Sequence, residues 1–471
     1  MDLNQIKSVY FLGIGGIGMS ALARYFKRNG VNVTGYDKTS TPLTDQLIRE
    51  GIEIHFEEET DLIPKEVDLV VWTPAVPKEH AGYQELMQQG IPIKKRSEVL
   101  GEITSQFTTI AVAGSHGKTT ISTFIAHILR TAGKELMAFL GGISKNYGTN
   151  FVEFSVLSPQ SSVTDHESRI TDRKSPIYAV VEADEYDRSF LQLSPDIAII
   201  TSVDPDHLDI YDDHDQLIKT FTKFTGKIRK NGSLIMKKGI AIEPDDHVVY
   251  NRFTYALNTE SNFFAKNIFI REGLIYFDFV TPTETIPGFV LGMPGMFNLE
   301  NAIAALAVGY LTGIEAAELK SAASSFQGVE RRFDIRIRRK DFIYIDDYAH
   351  HPEELNACIQ AVRELYPGRQ ITGVFQPHLY SRTRDLEDDF AAVLSNLDNM
   401  ILLEIYPARE QPIPGVSSEM LLAKIDSNHK QLCSNKELIG ILEQQRPEVL
   451  LTLGAGDIAK LVEPITDAFS T

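Results

Sequence analysis

Short apolar runs recur along the chain, each bounded by glycine or polar residues and followed by a stretch whose apolar positions have helical spacing. Continuous apolar runs of this length read as parallel strands buried on both faces, and their alternation with helices makes βαβ units. Three blocks result. In residues 1–102 the strands are Ser8-Val-Tyr-Phe-Leu12, Val31-Asn-Val-Thr34 and Leu69-Val-Val-Trp72, with Glu102-Ile-Thr-Ser-Gln106 as a connector. Residues 103–326 carry Thr109-Ile-Ala-Val-Ala113, Ile177-Tyr-Ala-Val-Val181 and Ile197-Ala-Ile-Ile200. Residues 327–471 carry a strand at Phe342–Ile345, a helix at Pro352–Leu365, a strand at Ile371–Phe375, and further strands at Met400–Glu404 and Val449–Leu453. The pattern predicts an α/β chain of three domains, Rossmann-like at both ends and P-loop ATPase-like with a mainly parallel sheet in the centre. Ser155 to Ser175, rich in Ser, Thr, Asp and Arg, reads as a surface insertion or a mobile loop.

Two strands run into glycine loops. Gly114-Ser-His-Gly-Lys-Thr-Thr120 separates the strand ending at Ala113 from the helical Ile121–Arg130. Such a loop wraps backbone N–H groups around phosphate oxygens, with Lys118 countering their charge and the Thr119 hydroxyl free to reach Mg²⁺. Only Ser115 and His116 separate its two glycines, and Val112 stands where a strict P-loop has its outer glycine. The other loop, Gly13-Ile-Gly-Gly-Ile-Gly18, follows the first strand, and Asp37 closes the next strand 19 residues beyond Gly18. Alone, that is a nicotinamide fingerprint. Physically it asks only for a diphosphate close to the backbone and ribose hydroxyls near an acid, which other nucleoside diphosphates also satisfy.

Polar clusters fall at strand ends, where ligands of parallel sheets bind. Glu182 leads Glu182-Ala-Asp-Glu-Tyr-Asp187 off a central strand, placed to hold Mg²⁺ directly or through water. Asp204-Pro-Asp-His207 follows the next strand and offers an imidazole to a metal or an acyl-phosphate oxygen. Asn298 and Asn301, at i and i+3, share a helix face and suit either a nucleotide or a cap. Arg331 and Arg332 put two guanidiniums at the junction of the second and third blocks, where they can grip phosphate bidentately. Asp346-Asp347-Tyr-Ala-His350-His351 suits recognition of a base or sugar, or proton handling.

Composition removes other classes. A net charge of −18 over 471 residues argues against a nucleic-acid or anionic-membrane surface, so any phosphate binding is local. Cys358 and Cys433 are the two cysteines, too few for a disulfide scaffold or a zinc site, and they fit a reducing compartment. The N-terminus lacks the basic flank of a signal peptide, and the apolar stretch from Val9 to Ala23 is broken by Gly13, Gly15, Gly16, Gly18 and Ser20. A cytoplasmic location is expected.

In order along the chain, GSHGKTT, EADEYD, DHLD, the N-x-x-N helix, ERRFD and DDYAHHP resemble the Mur ligases of peptidoglycan synthesis, over essentially the whole length. Folylpolyglutamate synthetases share part of this set but lack the N-terminal glycine motif. Gly13 to Ser20 and Phe375-Gln-Pro-His378-Leu-Tyr-Ser-Arg382-Thr-Arg384-Asp385 are most similar to the branch that joins L-alanine to UDP-N-acetylmuramate. The branch that adds a ready-made tripeptide to the same sugar nucleotide is similar through the second block and differs in its C-terminal motif.

The resemblance implies ATP and Mg²⁺ in the central domain, the UDP moiety on the first domain, and an acyl-phosphate route to the amide. It implies that Gly13, Gly15, Gly16, Gly18, Met19, Ser20 and Asp37 serve UDP, and that Gly114, Ser115, His116, Gly117, Lys118, Thr119 and Thr120 serve ATP. Lys118, Glu182 and His207 are then catalytic, with Thr119, Glu182 and His207 around the metal. Asn298, Asn301, Arg331, Arg332 and one of Asp346 or Asp347 serve the nucleotide, and His350, His378, Arg382 and Arg384 lie near the amino acid. The expected partners are UDP-N-acetylmuramate and L-alanine, with the chain a monomer or homodimer. One departure is Leu379, standing where that branch carries an arginine facing the amino acid.

Overall fold

Apolar runs become strands largely where the pattern puts them, arranged in four sheets among the described residues. The computed structural model describes residues 3–155, 176–204, 211, 213–271, 273–408 and 410–470. His207 and the expected insertion beyond Ser155 lie outside them.

The first sheet comprises β1 (Ser8–Leu12), β2 (Asn32–Tyr36), β3 (Glu53–His55), β4 (Leu69–Trp72) and β5 (Ile93–Lys95). Its order is β3-β2-β1-β4-β5, all parallel. The order reverses at β1, which places the loop after β1 at a topological switch point. The second sheet comprises β6 (Thr108–Ala113), β7 (Leu136–Ser144), β8 (Thr149–Phe154), β9 (Tyr178–Glu182), β10 (Ile197–Ile200), β11 (Ser233–Lys237) and β12 (Asn251–Tyr255). Their order is β12-β11-β10-β6-β9-β7-β8, parallel except for the β7–β8 pair. Here Glu182 is the last residue of β9 rather than the first beyond it, because β6 runs on and Val112 still pairs with it.

A three-stranded sheet, β13 (Phe264–Arg271), β14 (Leu274–Val280) and β15 (Thr285–Leu291), follows. In β14 buried and half-buried residues alternate, the period of a strand covered on one face. The fourth sheet comprises β16 (Asp334–Arg338), β17 (Ile343–Asp347), β18 (Ile371–Phe375), β19 (Asn399–Leu402), β20 (Lys430–Leu432) and β21 (Val449–Leu453). Its order is β16-β17-β21-β18-β19-β20, with only β16 antiparallel.

The chain gathers into two compact units. One takes residues 1–270, 276–292 and 300–327; the other takes 271–275, 293–299 and 328–471. The first two sheets fall in one unit because they share a core. A single apolar cluster includes Val9, Phe11, Leu22 and Phe26 from the first block, and Ala111, Phe139, Phe151 and Ala179 from the second. A buried polar knot reinforces it. From the helix Ile17–Arg28, Arg24 is 5% exposed and grips Glu50 at 2.8 and 2.9 Å. Arg24 also donates to the amide oxygen of Asn150, whose nitrogen donates to Ile17 O at 2.6 Å and Ser20 Oγ at 2.9 Å.

In the second unit the helix Pro352–Leu365 opens on proline, which needs no N–H at that position, and buries Leu355, Ile359 and Val362. They join Ile345, Phe375 and Leu451 from the centre of the sheet.

Candidate functional site

The turn from β6 into the helix Lys118–Thr131 can be made only with glycine at two places. Gly114 has φ +126°, and a Cβ there would lie 2.1 Å from Thr201 Oγ1; Gly117 has φ +81°, and its Cβ would lie 2.7 Å from Asn301 Oδ1. The next strand over braces the loop: Ser202 accepts from Ser115 N at 3.2 Å and from His116 N at 3.1 Å, through its carbonyl and hydroxyl respectively. Thr201 donates its hydroxyl to His116 O. The result is a fixed concavity at a helix N-terminus, the setting that receives a phosphate chain.

Lys118 fills that setting with charge. Its Nζ donates to Gly114 O at 2.6 Å and to both oxygens of Glu185, at 2.8 and 2.9 Å. Burial pushes the ammonium pKa down, but Glu185, Asp184 and Glu182 outweigh it and hold it above the ordinary lysine value. Beside it, Thr119 Oγ1 donates to Glu182 Oε2 at 2.9 Å, and Gly141 N donates to the same oxygen at 3.1 Å. Hydroxyl and carboxylate are thus already neighbours, and such hard oxygens suit Mg²⁺. Thr120 is buried at the first turn of the helix.

In the first sheet, Gly13 (φ +86°) donates to Tyr36 O at 2.8 Å, Ile14 does so at 3.0 Å, and Gly15 N donates to Asp37 Oδ2 at 2.8 Å. Asp37 therefore holds the loop in shape through one oxygen. Gly16 caps the helix Ile17–Arg28, with Gly18 in its first turn. Met19 and Ser20 face the interior: Met19 is 2% exposed, Ser20 is fully buried, and the Ser20 hydroxyl donates to Ile17 O at 2.9 Å.

In the second unit, Arg331 (φ +59°) donates through Nε to Asp346 Oδ2 at 2.9 Å and through Nη2 to Gly454 O at 2.7 Å. Asp346 is fully buried and also accepts from Thr452 Oγ1 at 2.7 Å; burial raises its pKa against the pull of Arg331. Asp347 accepts from Phe333 N at 2.6 Å and Ala349 N at 2.7 Å, and burial pushes its pKa up to about 6. Both carboxylates are engaged in holding the turn, and Arg332 lies 4.7 Å from the Tyr348 ring centre. Asn298, 3% exposed, donates to Pro294 O at 2.7 Å, which ties its side chain to the segment before its own helix.

His350 and His378 come together there, their ring centres 5.9 Å apart, and His378 stacks on Tyr406 at 5.8 Å. Arg382 and Arg384 lie on the short helix Tyr380–Asp385, where Arg384 pairs with Asp385 at 2.7 Å. Leu379 caps that helix at φ +71°, an uncommon conformation for a branched side chain, and donates its N–H to Tyr406 O at 3.0 Å.

Sequence reasoning passed over Glu185, although it stands inside the motif that Glu182 opens. The signal was its distance of three residues from the strand end; what hid it was that Glu182 stands nearest the strand, whereas Glu185 is the one that is 1% exposed. Tyr211 anchors it from behind, its hydroxyl donating to Glu185 O at 2.6 Å.

Comparison with known proteins agrees in all three blocks. Residues 8–108 match the Mur ligase family catalytic domain, 112–309 the Mur ligase middle domain and 331–456 the Mur ligase glutamate ligase domain. UDP-N-acetylmuramate–L-alanine ligase of Parabacteroides distasonis is 47% identical across 99% of this chain and 98% of its own length. The same-named protein of Flavobacterium psychrophilum is 48% identical across 98% of each. The crystal structure of UDP-N-acetylmuramate-alanine ligase from Thermotoga maritima superposes with a TM-score of 0.81 at 24% identity, covering 98% of this chain and 99% of that one.

Proposed function

The chain belongs to the Mur ligase family, and from that premise we propose how its residues share out the reaction. The reaction is the joining of L-alanine to the carboxylate of UDP-N-acetylmuramate in peptidoglycan precursor synthesis. Full-length identity of 47 and 48% to two proteins of that name carries this reading. The glycine loop at Gly13, a nicotinamide fingerprint in isolation, is accordingly a site for UDP.

A carboxylate does not condense with an amine unaided, because its oxygen is a poor leaving group. One carboxylate oxygen of the muramyl group attacks the γ-phosphorus of ATP, the bond to the ADP oxygen breaks, and an acyl phosphate forms. Lys118 and the loop from Gly114 to Thr120 position the phosphates and offset the charge that develops on them. Thr119, Glu182 and His207 would hold Mg²⁺, which would supply further neutralisation of the phosphates. The L-alanine amine, as the free base, then attacks the acyl carbon; the carbon–oxygen bond breaks, phosphate leaves, and the amine proton passes to His207, His378 or solvent. Asn298, Asn301, Arg331, Arg332 and one of Asp346 or Asp347 serve the nucleotide, while His350, His378, Arg382 and Arg384 receive the amino acid. Both Asp346 and Asp347 enter that role already bonded inside the turn, so they act by holding Arg331 and the backbone in place. The chain works in the cytoplasm, as a monomer or homodimer; among the described residues no helix is long and apolar enough to cross a membrane.

Phosphate release from ATP tests the reading. It should require UDP-N-acetylmuramate and L-alanine together, and release that is indifferent to either, or supported by a tripeptide in place of L-alanine, would overturn it.

A further inference from the structure

At the carboxyl edge of the first sheet, cations gather around the glycine loop of a chain that is otherwise strongly acidic. Lys95 ends β5, Arg96 opens the following helix, and Lys78 and Lys95 lie 5.9 and 6.0 Å from the ring of Trp72, the last residue of β4. Arg96 comes closest to the loop. A Cβ built on Gly18, in the first turn of the helix that the loop opens, would lie 2.8 Å from Arg96 Nη1 and 3.1 Å from Arg96 Cδ. Only glycine at position 18 lets the guanidinium lie against that turn.

The guanidinium is weakly held. Its side-chain partner is Asp184, at 3.4 Å from Nη2, a long contact for two opposite charges. Asp184 belongs to the acidic segment after β9, and three residues on, Asp187 takes Lys95 at 2.8 Å. Asp187 and Arg188 both have positive φ, 52° and 54°, so the segment is bent sharply to present these carboxylates. Two carboxylates thus occupy two cations beside a turn whose backbone N–H groups suit phosphate.

We propose that Arg96 is a ligand for the diphosphate of the sugar nucleotide, and that Asp184 occupies its guanidinium when the diphosphate is absent. This rests on the reading of the Gly13–Gly18 loop as the UDP site. A diphosphate lying along the loop meets an arginine whose planar fork matches two of its oxygens, and it outbids a carboxylate at a long distance. Asp184 stands two residues from Glu182 and next to Glu185, the partner of Lys118, so the arginine lies between the two nucleotide loops.

The test is calorimetric titration of the full chain with UDP, beside steady-state kinetics. Arg96→Gln should weaken UDP binding at least about tenfold and raise KM for UDP-N-acetylmuramate by a similar factor, as expected for losing a charged hydrogen-bonding partner. KM for L-alanine and binding of ATP should stay within twofold. Arg96→Lys should fall between the two. Asp184→Asn should tighten UDP binding, a sign that general damage to the fold does not produce. If Arg96→Gln misfolds by its melting curve, the Arg96→Lys and Asp184→Asn titrations decide. Wild-type affinity for UDP in Arg96→Gln, or weakened affinity in Asp184→Asn, overturns the assignment alone. A wild-type chain that binds neither UDP nor UDP-N-acetylmuramate overturns the function and the assignment with it.

Discussion

Lys118 and Glu185 form a buried ion pair at the mouth of the phosphate loop: Nζ lies 2.8 and 2.9 Å from the two carboxylate oxygens, and Glu185 is 1% exposed. The lysine that would serve ATP is therefore also the counter-ion that makes a buried carboxylate tolerable. Lys118→Ala should lower turnover at least about 100-fold. It should also cost about 3–5 kcal/mol of stability, because the buried Glu185 carboxylate loses the Lys118 counter-ion. The double variant Lys118→Ala/Glu185→Gln should regain much of that stability and none of the activity. Urea unfolding beside phosphate release checks both; a double variant no more stable than the single one would refute the pairing.

Gly141 tests the metal side of the site. A Cβ there would lie 2.1 Å from Glu182 Oε2, and Gly141 N donates to the same oxygen. Gly141→Ala should push the carboxylate away from Thr119, lower turnover at least about tenfold and raise the Mg²⁺ concentration for half-maximal rate. A magnesium titration with unchanged midpoint would count against the role given to Glu182.

His127 predicts a pH effect on stability. It is 6% exposed, its Nδ1 is 2.7 Å from the Tyr147 hydroxyl and its Nε2 3.0 Å from Ser325 Oγ. Burial, and secondarily Arg130, lowers its pKa from 6.5 to about 4. A histidine held neutral in the fold binds its proton first in the unfolded chain. Its stabilising contribution is therefore complete above pH 6.5 and is lost as pH falls towards 4, by up to about 3 kcal/mol. Melting temperatures from pH 7 to 4 should fall less steeply in His127→Gln than in the wild type; parallel curves would contradict this.

Asn150 is fully buried and bonded to Arg24, Ile17 and Ser20. Asn150→Leu keeps the bulk but takes one hydrogen-bond partner from the Arg24 guanidinium, which keeps Glu50, and one from the Ile17 carbonyl, which keeps Ser20. A loss of about 2–4 kcal/mol is expected in denaturant unfolding, together with weaker UDP binding, since the bonded helix is the one the glycine loop opens. A neutral outcome would mean that the knot is not needed.

His378→Ala should raise KM for L-alanine at least about tenfold and leave KM for ATP within twofold, because its ring sits with His350 and Tyr406 in the second unit. An equal rise in both would remove His378 from the amino-acid site.

Much of this fold was legible in the chain. Ser8–Leu12, Leu69–Trp72, Ile197–Ile200, Ile371–Phe375 and Val449–Leu453 are strands to the residue, because short continuous apolar runs between glycine and polar residues leave few alternatives. Both glycine loops were legible for the same reason: a strand meeting a helix through glycines has a restricted geometry. Pairing was not. Nothing in the sequence joins Arg24 to Asn150, yet they bond to each other in the interior; the spacing of apolar positions says that a face is buried and not against what. Asn298 and Asn301 look equivalent at i and i+3, but one donates back to Pro294 O and the other lies by Gly117. Short polar side chains choose partners by local geometry that only the folded backbone sets.

The cluster shared by the first two sheets makes the glycine loops at Gly13 and Gly114 parts of one cooperative transition. Whatever binds one loop is linked by mass action to the survival of the other: a ligand of the Gly13 loop at about 100 times its Kd adds about 2.7 kcal/mol against global unfolding, and protects the loop at Gly114 to the same degree. Heat-shift and proteolysis screens on this chain will therefore report ligands for either loop with one signal, and only competition with ATP or UDP tells which loop a hit occupies.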